Sequence, residues 1–461
     1  FLYAFCIMIT ELLSPAGSLK NMRYAFAYGA DAVYAGQPRY SLRVRNNEFN
    51  HENLKIGIDE AHALGKKFYV VANIQPHNSK LKNFIRDIEP IIAMQPDALI
   101  MSDPGLIMMV REHFPDMPIH LSVQANAINW ATVKFWKDYG LSRVILSREL
   151  ALEEIEEIQK NVPEIELEVF VHGALCMAYS GRCLLSGYMN KRDANQGACT
   201  NACRWEYKIH EAQEDANGDV IPVQQIEPSK QCCSNKVQDD LVQSVLVQRN
   251  DEEMFAAEED EHGTYFMNSK DLRAIQHVDR LTHMGIASLK IEGRTKSYFY
   301  CARTAQIYRK AIDDALSGQP FDSSLMDQLE GLANRGYTEG FLRRHVHSDY
   351  QNYEDGSSHF DYQQFCGEVI ERNGDYVRVE VKNRFLVGDT LELMTPKGNL
   401  VFTLTEMRDL KGHPIDNAKG SGHIVEIPFS ADIDIAYALL IRHLPHAKTQ
   451  LKTDALAYSA D

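Results

Sequence analysis

Four of the nine cysteines stand close together, at Cys176, Cys183, Cys199 and Cys203, in the pattern C-x6-C-x15-C-x3-C. Cys199 and Cys203 have the spacing of a zinc pair, whereas Cys176 and Cys183 lie further apart than the usual zinc knuckle. Iron–sulfur clusters take the same thiolate ligands at more varied spacings. On spacing alone both metals remain open, beside a third reading of four unlinked buried thiols. A disulfide framework is not expected, because nothing else in the chain looks secreted. Gly173, Gly181, Gly187 and Gly197 allow tight turns around whatever the thiols hold. The apolar run from Leu167 to Val171 reads as a buried strand ending at His172-Gly173, which sets the first thiol just past a strand's C-terminal end.

The elements that must position this segment repeat one rhythm: a short apolar run, a polar turn, an amphipathic helix. Strand-like runs lie at 11–16, 32–36, 67–74, 97–103, 119–124, 143–147, 166–171 and 288–293, with helical patterns such as 53–65 and 150–161 between them. Eight alternating units with strands too apolar to be half-exposed predict an α/β fold, a TIM-like (βα)8 barrel over residues 9–320. A doubly wound open sheet is the alternative. Residues 264–269 are an extra strand candidate. The interval 174–286 forms a long insertion between strands seven and eight, and it contains the cysteine segment and then a polar stretch with Cys232-Cys233, read as incidental. Connections of that length usually carry function. Residues 321–364 read as a helical segment and a linker, and 365–445 alternate at period two between Asn-Gly, Val-Gly-Asp and Lys-Gly-Asn turns. That alternation predicts a small antiparallel β-barrel domain.

The active site of an eight-stranded βα barrel lies at the C-terminal ends of its strands. Those ends offer Asn73, Ser102-Asp103, Gln124, Arg148-Glu149, His172, Glu292 and Arg294, with Asn268 and Lys270 after the extra strand. Arg148 and Arg294 are candidates to hold a carboxylate, because the planar guanidinium pairs with it bidentately. Their plain alternative is ion pairing with Glu149 and Glu292. Glu292 and His172 are candidate general bases, or hydrogen-bonded structural groups. The loop after strand two, GQPRYSLRVRNNEFN, sets Arg39, Arg43 and Arg45 beside Tyr40. Basic residues interleaved with an aromatic suit a single-stranded RNA loop, and a solvated surface loop is the plain reading. Lys191-Arg192 would extend the patch.

Bulk properties narrow the class. Of 461 residues, 44% are hydrophobic and 24% charged, an ordinary globular balance. No apolar run reaches the ~20 residues of a membrane span, so no membrane partner is expected. The apolar start lacks a basic region and a cleavage site, so a cytoplasmic location is expected, with Met8 as initiator and Phe1 to Ile7 an upstream extension. The net charge of −16 argues against strong non-specific nucleic-acid binding and leaves a local basic face as the route to RNA.

Several runs carry a resemblance. EVFVHGALCMAYSGRCLLS resembles the signature of peptidase family U32, the collagenase-like proteases. ELLSPAGSLKNMRYAFAYGADAVYAG, HLSVQANAINWATVKFW, NQGACTNACRWEY and SLKIEGRTKSYFYCARTAQIYRKAID are similar to a tRNA-modifying bacterial branch of that family. The likeness spans about residues 9 to 445. It implies oxygen-independent hydroxylation of the wobble uridine to 5-hydroxyuridine, with prephenate as the small-molecule hydroxyl donor. It implies a 4Fe-4S cluster on Cys176, Cys183, Cys199 and Cys203, a tRNA anticodon loop as substrate, and iron–sulfur assembly machinery as a partner. A two-carboxylate donor would meet Arg148 and Arg294, with Lys270, Arg39, Arg43 and Arg45 also binding substrate. The rival functions are a peptidase, a sister hydroxylase acting on rRNA or a quinone precursor, and a non-enzymatic RNA-binding protein. The chain has neither a G-x-S-x-G elbow nor an H-E-x-x-H helix for proteolysis.

Overall fold

The computed structural model describes residues 10–42, 47–175, 270–334, 336–343, 363–420, 422–429 and 433–444, with the backbone of five short strands between 208 and 264. Eight short strands pair in parallel: β1 (Glu11–Pro15), β2 (Ala32–Gly36), β3 (Lys67–Ala72), β4 (Ala98–Met101), β5 (Ile119–Leu121), β6 (Arg143–Ile145), β7 (Glu166–Ala174) and β8 (Ser288–Ile291). Their order is β8-β1-β2-β3-β4-β5-β6-β7, and β8 also pairs with β7. The sheet therefore closes, and the open doubly wound alternative falls. Every residue of β1, β2 and β4 is buried, because helices cover the outer face of the barrel and side chains fill the inner one.

The covering helices are α1 (Leu19–Ala27), α2 (His51–Ala63), α3 (Phe84–Ile92), α4 (Pro104–His113), α5 (Trp130–Asp138), α6 (Leu152–Asn161), α7 (Val278–His283) and α8 (Tyr298–Leu316). Short polar residues start five of them at the barrel mouth. Ser18, Asn50, Asp103, Asn129 and Ser297 each accept a backbone N–H of the first turn. Asp103 thus ends strand four as a helix cap, with Pro104 opening the helix behind it.

Between β7 and β8 the polar stretch folds as its own antiparallel sheet. Its strands run in the order 263–264, 255–260, 243–248, 208–214 and 220–222. A further short strand, Asp271–Arg273, lies antiparallel against the end of β7.

Residues 363–443 form an antiparallel sheet of β9 (Gln363–Asn373), β10 (Tyr376–Val381), β11 (Thr390–Thr395), β12 (Gly398–Thr403), β13 (Ile424–Pro428) and β14 (Leu439–His443), ordered β12-β11-β14-β9-β10-β13. One set of its side chains builds a separate core around Val377, Val379, Leu391 and Ile427. Met394, Leu439 and Ile441 instead join the barrel's core. Helix α8 runs between the two bodies, which explains why it is buried on several sides.

Candidate active site

Barrel lumens of this type are usually filled by layers of branched apolar side chains. This one is charged. Glu11 on β1 and Arg143 on β6 meet at 2.7 Å, although those strands are not neighbours. They can meet only across the lumen. Arg143 also donates to Glu168 on β7 at 3.1 Å, and Lys290 on β8 donates to the same carboxylate at 2.7 Å. Tyr69 on β3 and Ser288 on β8 donate to Glu11 at 2.7 and 3.0 Å. Burial alone would raise the Glu11 carboxyl, but the Arg143 guanidinium holds it below the usual range. Burial pulls the Lys290 ammonium down, against the attraction of Glu168.

Above this floor the column continues to the mouth. The Lys290 ammonium sits 4.2 Å from the ring centre of Tyr34 on β2. The Tyr34 hydroxyl lies 3.0 Å from Glu292 Oε2 and 2.9 Å from the Ile291 carbonyl. Glu292 is almost fully buried just past the end of β8. Arg294, two residues on, donates to the Leu42 carbonyl at 2.8 Å and so ties the end of β8 to the loop after β2. Arg148, past β6, lays its guanidinium over the Phe170 ring at 3.9 Å and stays partly exposed. Its neighbour Glu149 is engaged by the Ser147 hydroxyl instead. Asn73, Ser122 and Gln124 form a hydrogen-bonded run along the opposite rim, with Ser102 on the Asn73 carbonyl. Arg148, Phe170, Lys290, Tyr34, Glu292 and Arg294 are therefore brought to one mouth.

His172 goes elsewhere. Strand alternation would put it in phase with Glu168 and Phe170, on the lumen side. Pairing between β7 and β8 shifts by one residue after Phe170–Lys290, so that His172 stands opposite Ile291. Such a bulge re-aims the side chains beyond it. The imidazole is buried among Tyr300, Tyr308 and Tyr337, with Nδ1 3.3 Å from the Tyr308 hydroxyl. Burial pushes its pKa down to about 3, helped by Lys296 and Arg273, so the ring is neutral. Gly173 follows at φ +101°, where a side chain would collide with the Glu292 carbonyl. This close approach holds the end of β7 against the end of β8.

The remaining predicted site residues divide. Arg39 is on the rim, largely exposed, and pairs with Asp87 at 2.6 Å, which Tyr40 also reaches at 3.1 Å. Lys270 is half-buried at the start of the strand against β7. Arg43, Arg45, Cys176, Cys183, Cys199 and Cys203 lie outside the described residues, as do Asn268, Lys191 and Arg192. Tyr34, Lys290, Glu168, Arg143 and Glu11 are not among the residues at the C-terminal strand ends: Glu11 and Arg143 open their strands and the other three lie inside theirs. For Lys290 and Glu168 the signal was the charged alternation in SLKIE and ELE, within strands otherwise apolar.

Residues 17–352 match the model of peptidase family U32, and residues 361–442 match that of the Peptidase family U32 C-terminal domain. The chain belongs to peptidase family U32. This U32 chain is 67% identical to tRNA hydroxylation protein P of Escherichia coli over 95% of its own length and 99% of that protein's. It is 65% identical to tRNA hydroxylation protein P of Haemophilus influenzae, covering 95% and 97% of the two. A 23S rRNA 5-hydroxycytidine synthase of Escherichia coli is 28% identical, over 83% of the chain and 52% of that protein.

Proposed function

We propose that the chain is a cytoplasmic tRNA hydroxylase that forms 5-hydroxyuridine at the wobble position, taking the hydroxyl group from prephenate. One observation carries the reading: the 67% identity to a tRNA hydroxylation protein covers 95% of this chain and 99% of that protein. The rRNA-modifying relative is more distant and is matched over only half its length.

The site's chemistry agrees. A base must leave its stack before a protein can act on it, and a barrel mouth is a place to receive it. Hydroxylation replaces a C–H by a C–OH, a two-electron oxidation in which the hydroxyl donor must take up the electron pair and a proton must leave that carbon. Glu292 is the carboxylate at the mouth assigned to take it. Arg148, stacked on Phe170, is assigned to a carboxylate of the donor, with Arg294 bracing the wall beside it. His172 is neutral and enclosed by tyrosines, which suits a structural role better than proton transfer.

The four thiols of Cys176, Cys183, Cys199 and Cys203 make a donor set that fits a 4Fe-4S cluster. Of the other cysteines, Cys301 and Cys366 are buried, and burial pushes both up to about 12, which keeps them as thiols. A bound cluster would supply electron transfer.

The test is complementation. A bacterial strain lacking its own enzyme, expressing this chain, should regain hydroxylated wobble uridine in digested tRNA, read by mass spectrometry. A well-expressed chain that leaves the nucleoside profile unchanged would sink the reading.

A further inference from the structure

The charged lumen needs an explanation beyond folding. Burying ions costs more than burying branched apolar side chains of similar volume, and swapping a buried pair for apolar residues often leaves a protein as stable or more so. A barrel selected for stability alone would fill these positions with Val, Ile or Leu. Here Glu168 and Lys290 are essentially inaccessible, and Glu168 holds both Arg143 and Lys290. The contacts run in a single column from floor to mouth: Glu11, Arg143, Glu168, Lys290, Tyr34, Glu292.

We propose that Lys290 is a positioning residue for the reaction at the mouth. Glu168 fixes its ammonium from below. The ammonium lies against the face of the Tyr34 ring, an attraction that strengthens away from water. That contact sets the height and tilt of the ring, and with them the place of the hydroxyl, whose one proton is shared between the Ile291 carbonyl at 2.9 Å and Glu292 Oε2 at 3.0 Å. The carboxylate is thereby held in one orientation beneath the substrate. Lys290 touches no substrate and acts through Tyr34 and Glu292; its ammonium also lies 5.4 Å from the Phe170 ring centre. This inference rests on the hydroxylase reading for its activity test, and on geometry alone for its structural one.

The test uses the double variant K290M/E168Q, which removes one positive and one negative charge and keeps the lumen balanced. It should fold with a melting temperature near that of the wild type, since Arg143 retains Glu11 and Glu166. Its KM for tRNA should stay within about threefold while kcat falls roughly 10²-fold, the effect of a misplaced catalytic group. Tyr34→Phe, which deletes the oxygen through which Lys290 acts and leaves every lumen charge in place, should show the same split at no less than roughly 10²-fold. A folded variant with wild-type kcat overturns the proposal, and so does a loss confined to KM. The crystal structure of the double variant gives an answer independent of turnover. The Tyr34 hydroxyl should move out of hydrogen-bond reach of Glu292, and a retained bond overturns the inference even if the wild-type chain proves not to hydroxylate tRNA.

Discussion

Arg303 on α8 and Glu392 on β11 face each other fork to fork, with Nη1–Oε1 at 2.9 Å and Nη2–Oε2 at 3.0 Å, and both side chains are buried where the barrel meets the C-terminal sheet. His443 Nε2 reaches the same carboxylate at 3.0 Å. Nearby, the Tyr28 hydroxyl donates to the Met394 carbonyl at 2.9 Å, and the Tyr24 hydroxyl donates to Glu368 at 2.6 Å. The sheet is thus fastened to the barrel by polar contacts set in an apolar seam.

Glu392 makes this seam sensitive to acid. Burial would raise its carboxyl, but His443 and Arg303 hold it down at about 2. A carboxyl depressed in the folded state stabilises above its unfolded value of 4.5 and loses that contribution as pH falls towards 2. The shift corresponds to about 3 kcal/mol. Glu392→Gln should therefore cost about 3 kcal/mol near neutral pH and less than half of that near pH 3, measured by denaturant unfolding. An equal cost at both pH values would contradict the assignment.

Arg143 is the cation shared by Glu11, Glu166 and Glu168. Arg143→Met leaves two buried carboxylates without it and should destabilise the barrel by about 3–5 kcal/mol. An unchanged urea midpoint would mean that the lumen floor is not held by these pairs.

Glu292 and His172 should separate cleanly. Glu292→Gln keeps the shape and removes the carboxylate proposed as base, and should lower kcat by roughly 10²–10⁴. His172→Phe preserves the ring packing with Tyr300, Tyr308 and Tyr337, loses one buried hydrogen bond, and should cost about 1 kcal/mol of stability. Its kcat should stay within about threefold of wild type. The reverse pattern would return the proton-transfer role to His172.

Arg148 offers a test of donor binding. Arg148→Ala should raise KM for prephenate roughly 10- to 100-fold with a smaller change in kcat, and Arg148→Lys should restore little, since an ammonium cannot pair as a fork or stack on Phe170 as the guanidinium does. A KM that does not move would place the donor elsewhere.

Much of this architecture was legible from periodicity. Seven of the eight barrel strands fall within the runs marked by apolar content and bounding turns, the remaining one, Glu166–Ala174, runs three residues past its marked end at 171, and the period-two alternation after residue 365 announced the antiparallel region. Two features were not. The shift in pairing that turns His172 off the lumen depends on β8, more than a hundred residues away, so no local pattern reveals it. The contact between Glu11 and Arg143 spans 132 residues and exists only once the barrel closes. The charges themselves were visible in the strands, but which face they take is fixed by register and closure, not by residue type.

The most direct measurement is mass spectrometry of a tRNA anticodon stem-loop incubated anaerobically with the iron–sulfur-reconstituted chain and prephenate, beside the Glu292→Gln variant. The account predicts the mass gain of one oxygen on the wobble uridine with the wild type and none with the variant. An unmodified uridine with a fully reconstituted wild-type chain, or equal modification by both proteins, would contradict it.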